Sequence, residues 1–290
     1  MALLYKKITE HTIEITGYEG NIRHLVIPEN LKGCVVERIG KSAFSGREDL
    51  WSVRLPRTVN TLGRYAFYNC KNLKDIALYD GVEDYYDGVI KQCHRLEEIE
   101  LTQTRNDFSV MKELLADTDR KLHFVIQPSG LDLIFPAYVY DFVEEVEARV
   151  LHHKIEGSGY PYRECVTRKG VDLLAYDRLF TQVINDDYHT AIAIACRRLM
   201  HPVELEEHHR LQYEQYLEQN ATVVLKELIA QEKQNEISCL CESCLIPEDA
   251  LPDALQIAAE QKKSQISAVL MEYQRRHFGK KQAPAMTLDW

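Results

Sequence analysis

No apolar run in this 290-residue sequence approaches the roughly 18 residues that a membrane-crossing helix needs. A membrane partner is therefore not expected. Positive charge is also scarce: 35 Lys and Arg face 45 Asp and Glu, giving a net charge of −10 and a pI near 5.6. Such a field repels phosphate backbones, and the largest basic clusters are the pairs Arg197-Arg198 and Lys280-Lys281. Nucleic acid is thus not expected as a partner. The opening Met1-Ala2-Leu3-Leu4-Tyr5-Lys6-Lys7 lacks the basic-then-apolar pattern of a secretory signal. A cytoplasmic location follows as the expectation, with the eight cysteines as reduced thiols. They are scattered from Cys34 to Cys244, which does not suit a disulfide framework.

What is present is an internal repeat. Three consecutive 23-residue segments, Val35 to Arg57, Thr58 to Asp80 and Gly81 to Gln103, align without a gap. Val36, Val59 and Val82 correspond, as do Ile39, Leu62 and Tyr85. Ala43-Phe44 and Ala66-Phe67 match Val89-Ile90, and Leu50, Leu73 and Leu96 match one another. The tails pair Val53 with Ile76 and Ile99, then Leu55 with Leu78 and Leu101. Two-residue alternation in these tails predicts a short strand, and the Ala-Phe run predicts one or two helical turns. One such unit cannot bury its apolar faces alone, but stacked units share one core. Upstream, Thr12 to Thr16 and Leu25-Val26-Ile27 read as cap strands. Downstream, a further step of 23 from Ile99 and Leu101 reaches Leu122 and Phe124, so Thr104 to Ile126 reads as a degenerate fourth unit.

The motifs Ile39-Gly40-x-x-Ala43-Phe44, Leu62-Gly63-x-x-Ala66-Phe67 and Asn69-Cys70-x-x-Leu73-x-x-Ile76-x-Leu78 resemble BspA-like leucine-rich repeats, which are common in bacteria. In the third unit Tyr86 replaces the glycine. The resemblance implies a binding solenoid. Many family members are secreted surface proteins, and surface adhesion is not carried over to a sequence without their export signal. The expected fold class is α+β: a short solenoid of parallel strands and short helices, then an all-α domain. The expected division is 1–127 for the repeat domain with its N-terminal β cap, 137–279 for the helical domain, and 280–290 for a loose tail.

Beyond the junction at Pro128 to Pro136 the pattern turns helical. Tyr138 to Lys154 carries Phe142, Val146, Val150 and Leu151 in one stripe. Leu173 to Val183, His189 to Met200 and Leu205 to Gln219 follow as helices, then Thr222 to Gln231, Asn235 to Leu245, Pro247 to Gln261 and Ser264 to His277. From about residue 220, Ala254-Leu255-Gln256-Ile257-Ala258-Ala259 with Ile266-Ser267-Ala268-Val269-Leu270-Met271 resembles an ankyrin helix pair, without the T-P-L-H signature.

Chemistry-bearing clusters have ordinary readings beside them. Cys239, Cys241 and Cys244 could ligate zinc, yet no fourth ligand is near in sequence and a helix would turn Cys239 away from the other two. Cys196 with His201 or His208 could form a nucleophile and base, yet Cys196 sits in an apolar run that suits core packing. His152-His153 and His208-His209 read as solvated surface pairs. Gly157-Ser158-Gly159 lacks the phosphate-loop pattern, and Asp172, Asp177, Asp186 and Asp187 are too scattered for a calcium loop. No cofactor is expected. The repeat face is the stronger candidate: Ser52 and Arg54 point outward, with Asp75 and Ala77, then Glu98 and Glu100, then Lys121 and His123 as equivalents, and Trp51, Lys74 and Glu97 along the strand edge. An exposed Trp beside Arg and carboxylates suits a protein ligand. The expected function is a non-catalytic scaffold or adaptor with a protein partner. The alternatives are an enzyme or zinc protein with its site in the helical domain, and a structural homo-oligomer.

Overall fold

The structure, a computed structural model, describes residues 2–145 and 150–279, and their side chains except those of 141–154. The tail, 280–290, lies outside the described residues. Contacts divide the chain into two compact units. The first contains Met1–Ile194 and His201–Glu206; the second contains Ala195–Met200 and Glu207–Trp290. The junction expected at Pro128 to Pro136 therefore lies inside the first unit.

The first unit begins with β1 (Ala2–Lys7) and β2 (Thr12–Glu19), an antiparallel pair. Then follow β3 (His24–Val26), β4 (Asn30–Leu31), β5 (Cys34–Ile39), β6 (Ser52–Arg54), β7 (Thr61–Leu62), β8 (Asp75–Tyr79), β9 (Asp84–Tyr85) and β10 (Glu98–Thr102). Helix α1 (Ser109–Ala116), β11 (Leu122–Gln127) and β12 (Leu131–Phe135) complete the solenoid. Each repeat supplies two strands, not one. One sheet runs β3-β6-β8-β10-β11-β12, parallel as far as β11; the other runs β1-β2-β5-β7-β9. The apolar columns fill the space between: Leu25, Val53, Ile76, Ile99 and Phe124 are all nearly inaccessible.

The Ala-Phe segments are turns rather than helices. Ser42, Tyr65 and Gly88 have φ of 54°, 60° and 76°, and Gly46, Asn69 and Gln92 have 73°, 56° and 63°. These left-handed positions recur every 23 residues and interrupt any α-helical ladder. Backbone donors go instead to the next unit: Phe44 N–H to the Ala66 carbonyl at 2.8 Å, and Phe67 N–H to that of Val89 at 2.9 Å. The side chains stack along the same axis, with the Phe44 and Phe67 rings 5.2 Å apart. Cys70 and Cys93 are also repeat equivalents, donating Sγ–H to the Phe44 and Phe67 carbonyls at 3.1 and 3.0 Å. Gly63 is demanded by the stacking, because a Cβ there would lie 2.6 Å from Lys41 N.

Two units depart from the 23-residue step. Leu25 pairs with Val53, so the upstream cap strand is itself the first rung, lengthened by the β4–β5 turn. Ile99 pairs with Phe124 rather than with Leu122. That unit contains α1, and a helix uses more residues than extended chain for the same span.

After β12 come β13 (Val139–Glu145) and β14 (Val150–Glu156), an antiparallel hairpin in place of the expected helix over Tyr138 to Lys154. The Val-Tyr-Asp-Phe-Val sequence of β13 is β-branched and aromatic, which favours extended backbone. The side chains of Phe142, Val150, Leu151 and the His152-His153 pair, and Val146 as a whole, lie outside the described residues. Helix α2 (Gly159–Glu164), the short pair β15 (Val166–Thr167) and β16 (Gly170–Val171), and helices α3 (Leu173–Arg178), α4 (Phe180–Asp186) and α5 (Tyr188–Met200) follow. Arg163 is buried and fastens this part of the unit. It donates to the carbonyls of Leu115, Pro136, Gly159 and Arg120 at 3.3, 2.6, 2.8 and 2.6 Å and stacks over Tyr138. Burial lowers its pKa to about 10.

The second unit holds α6 (Glu207–Gln219), α7 (Ala221–Ala230), α8 (Gln234–Glu242), α9 (Leu251–Glu260) and α10 (Ser264–His277). The α7–α8 and α9–α10 turns are alike. Glu232 and Lys262 are left-handed, and Lys233 and Lys263 N–H groups reach back to the Leu228 and Ala258 carbonyls at 2.9 and 2.8 Å. This closes each helix with a Schellman pattern. Helix α9 packs on both α7 and α10, and α10 on α8, so the hairpins stack. An ankyrin assignment rests on the sequence resemblance alone.

Candidate binding face

The outward side chains of the β3-to-β12 sheet fall in rows fixed by strand register. One row is His24, Ser52, Asp75, Glu98, His123 and Ile134. The next is Val26, Arg54, Ala77, Glu100, Val125 and Asp132. Ser52, Arg54, Asp75, Glu98 and Glu100 thus share one face, as their spacing predicts. His123 joins the row of Asp75 rather than that of Arg54. Lys121 precedes β11 and belongs to neither row, because the α1 unit adds two residues to the step. His24 and Val26 were missed by sequence reasoning; the irregular step before β6 hid them.

Trp51, Lys74 and Glu97 form the edge as expected, joined by Lys74 N–H to the Trp51 carbonyl at 2.8 Å and Glu97 N–H to that of Lys74 at 2.9 Å. Trp51 is half-buried rather than exposed. Arg23 and Lys74 place their charges 5.5 and 5.6 Å from its ring centre. Both cations flank the ring, a cation–π arrangement.

Within the first row, neighbours pair off. His24 Nδ1 lies 2.7 Å from Ser52 Oγ, and His123 Nδ1 lies 3.0 Å from Glu98 Oε2. His123 Nε2 is 2.7 Å from Asp132 Oδ1. In the second row Arg54 Nη1 reaches Glu100 Oε2 at 3.1 Å, passing over Ala77. Between these pairs Asp75 is half-buried, and its carboxylate makes no hydrogen bond or ion pair among the described residues. Burial raises its pKa, and Glu98 and Glu100 add to the rise while Arg54 and His24 oppose it. Beside Ala77 the face dips into a recess of about 250 Å³ lined by Val26, Pro56 and Tyr79 together with the charged Glu29, Arg54, Arg57 and Glu100.

Of the remaining candidates, His208 and His209 lie with Glu206, their ligand atoms within 4.8 Å of one another. The thiols of Cys239, Cys241 and Cys244 are not all within 4.8 Å of one another. Burial pushes the Cys241 thiol to about 11, and Cys244 lies beyond the end of α8 with φ 56°. Cys196 is buried, which holds its thiol protonated. Asp172 and Asp187 cap helices, accepting Ala175 N–H at 2.9 Å and His189 N–H at 3.0 Å. Gly159 packs so closely on the Pro136 carbonyl that no Cβ fits. His209 is buried rather than solvated, with Nδ1 3.4 Å from Gln212 Oε1.

These features define a leucine-rich-repeat solenoid. Residues 17–134 match the BspA type leucine rich repeat region in six copies. A search of curated proteins finds no match. Among solved structures, the chain is similar to the leucine rich repeat protein of T. pallidum at 28% identity, over 34% of this chain and 50% of that one, with a TM-score of 0.32. It is similar to a leucine rich cell surface protein of Faecalibacterium prausnitzii at 27% identity, over 34% and 30%, with a TM-score of 0.30. A leucine-rich repeat protein of Bacteroides ovatus follows at 23% identity, over 42% and 32%, with a TM-score of 0.31. The chain spans half or less of the length of each.

Proposed function

We propose that the chain is a non-catalytic interaction module that binds a protein through the outward face of the β3-to-β12 sheet. The observation that carries this reading is the face itself: register sets Arg54, Asp75, Glu98 and Glu100 side by side, with half-buried Trp51 at the edge. Solenoids of this kind generally offer such faces to protein partners. Aromatic and Arg side chains are the usual anchors of such contacts. Within this reading the module works in the cytoplasm, where an exposed thiol such as Cys244 stays reduced.

Ala77 is the test position, because it lies at the centre of the face between Arg54 and Glu100. Affinity capture from extracts of the source cells, with the full chain and with Ala77→Arg, is expected to recover a partner with the former alone. A partner retained equally by both would contradict the reading.

A further inference from the structure

The sheet face carries one feature that its neighbours do not resolve. The polar row neighbours of Asp75 are paired: Ser52 has His24, Glu98 has His123, and Glu100 has Arg54. The Asp75 carboxylate stands in their midst with no hydrogen bond or ion pair among the described residues, half withdrawn from water. A carboxylate so placed is held at a cost, and a donor brought by a ligand relieves it. Glu98, Glu100 and, at the edge, Glu97 add negative charge on the same side, so the missing complement is a cation.

A recess adjoins it, with Val26, Pro56, Ala77 and Tyr79 in its lining and the Arg54–Glu100 and Arg57–Glu29 ion pairs around them. The recess beside Ala77 starts two residues along β8 from Asp75 and continues to Tyr79, four residues along. Strand residues advance about 3.3 Å each, and alternate side chains share a face. A ligand strand lying along β8 would therefore present side chains to both features at the same two- or four-residue spacing.

We propose that this face receives an extended segment of a partner protein, setting an arginine or lysine on Asp75 and an apolar side chain two or four residues away into the recess beside Ala77. This deepens the sheet-face reading and rests on it. Arg54 and Glu100, in the row of Ala77, line the recess as an ion pair.

The test uses the full chain as bait against a randomised peptide library displayed on phage, followed by titration of the enriched peptides. The expected result is a basic residue spaced two or four positions from an apolar one. Ala77→Arg abolishes binding, and Asp75→Asn weakens it by roughly tenfold, as loss of a charge-assisted bond does. Thermal melts confirm that both variants fold. Peptides lost with Ala77→Arg but lacking a basic residue, or indifferent to Asp75→Asn, overturn this inference and leave the sheet-face reading standing. Peptides indifferent to Ala77→Arg overturn both. A library with no enriched sequence overturns the basic-segment inference.

Discussion

Asp80 shows how a single side chain closes a solenoid turn. Its carboxylate accepts Thr104 N–H and Oγ1–H at 2.8 Å each, Arg105 N–H at 2.8 Å and Asp107 N–H at 3.2 Å. Those bonds outweigh burial and hold its pKa below the ordinary aspartate value. A depressed folded-state pKa gives stability that is complete above the unfolded value, near 3.9, and is lost as pH falls through the folded one. Urea unfolding is expected to show Asp80→Asn weaker than the parent by about 1–3 kcal/mol at pH 7. The gap should narrow at pH 3; an unchanged gap would contradict the assignment. Asp75 has the opposite sign, its raised pKa marking a carboxylate that folding disfavours at neutral pH. Asp75→Asn should therefore melt no lower than the parent at pH 7, and a clear loss would show an unrecognised partner. Arg163 donates to four carbonyls, and Arg163→Met strands them. A cost of about 3 kcal/mol is expected in the urea midpoint.

At the scale of elements, the prediction concerns the glycine that lets units stack. Gly63→Ala should cost about 1–3 kcal/mol, because its Cβ meets the backbone of the preceding unit at 2.6–2.8 Å and neither can yield. A thermal melt of that variant equal to the parent would contradict the stacking described. The same elements show what a sequence discloses. Six apolar columns exposed the unit length, because core positions recur whenever equivalent strands stack. The second sheet escaped notice because β7 and β9 are only two residues each. The turns were mistaken for helices because their left-handed positions are held by Ser42, Tyr65, Asn69 and Gln92 as well as by glycine. The β13–β14 hairpin was mistaken for a helix because its apolar residues satisfy both periods at once. The outward face was legible wherever the 23-residue step held. It failed at Lys121, where α1 lengthens the unit, and at His24 and Val26, where the β4–β5 turn does. Asp75 was named as a face residue, but its isolation was not, since that depends on which neighbours pair with each other across strands.

For the whole molecule, the account makes the sheet face the working surface of the first unit. Trp51 offers a direct report, standing at the edge of that face; the other tryptophan is Trp290. In a full-length Trp290→Phe variant, Trp51 is the sole fluorophore of its kind, and its half-buried ring is open to a soluble quencher. The decisive measurement is acrylamide quenching of Trp51 with and without the captured partner. The account predicts that the bound partner shields Trp51, and that Ala77→Arg abolishes the shielding. Quenching that is unchanged by a partner shown to be bound would place the binding surface elsewhere and contradict the account.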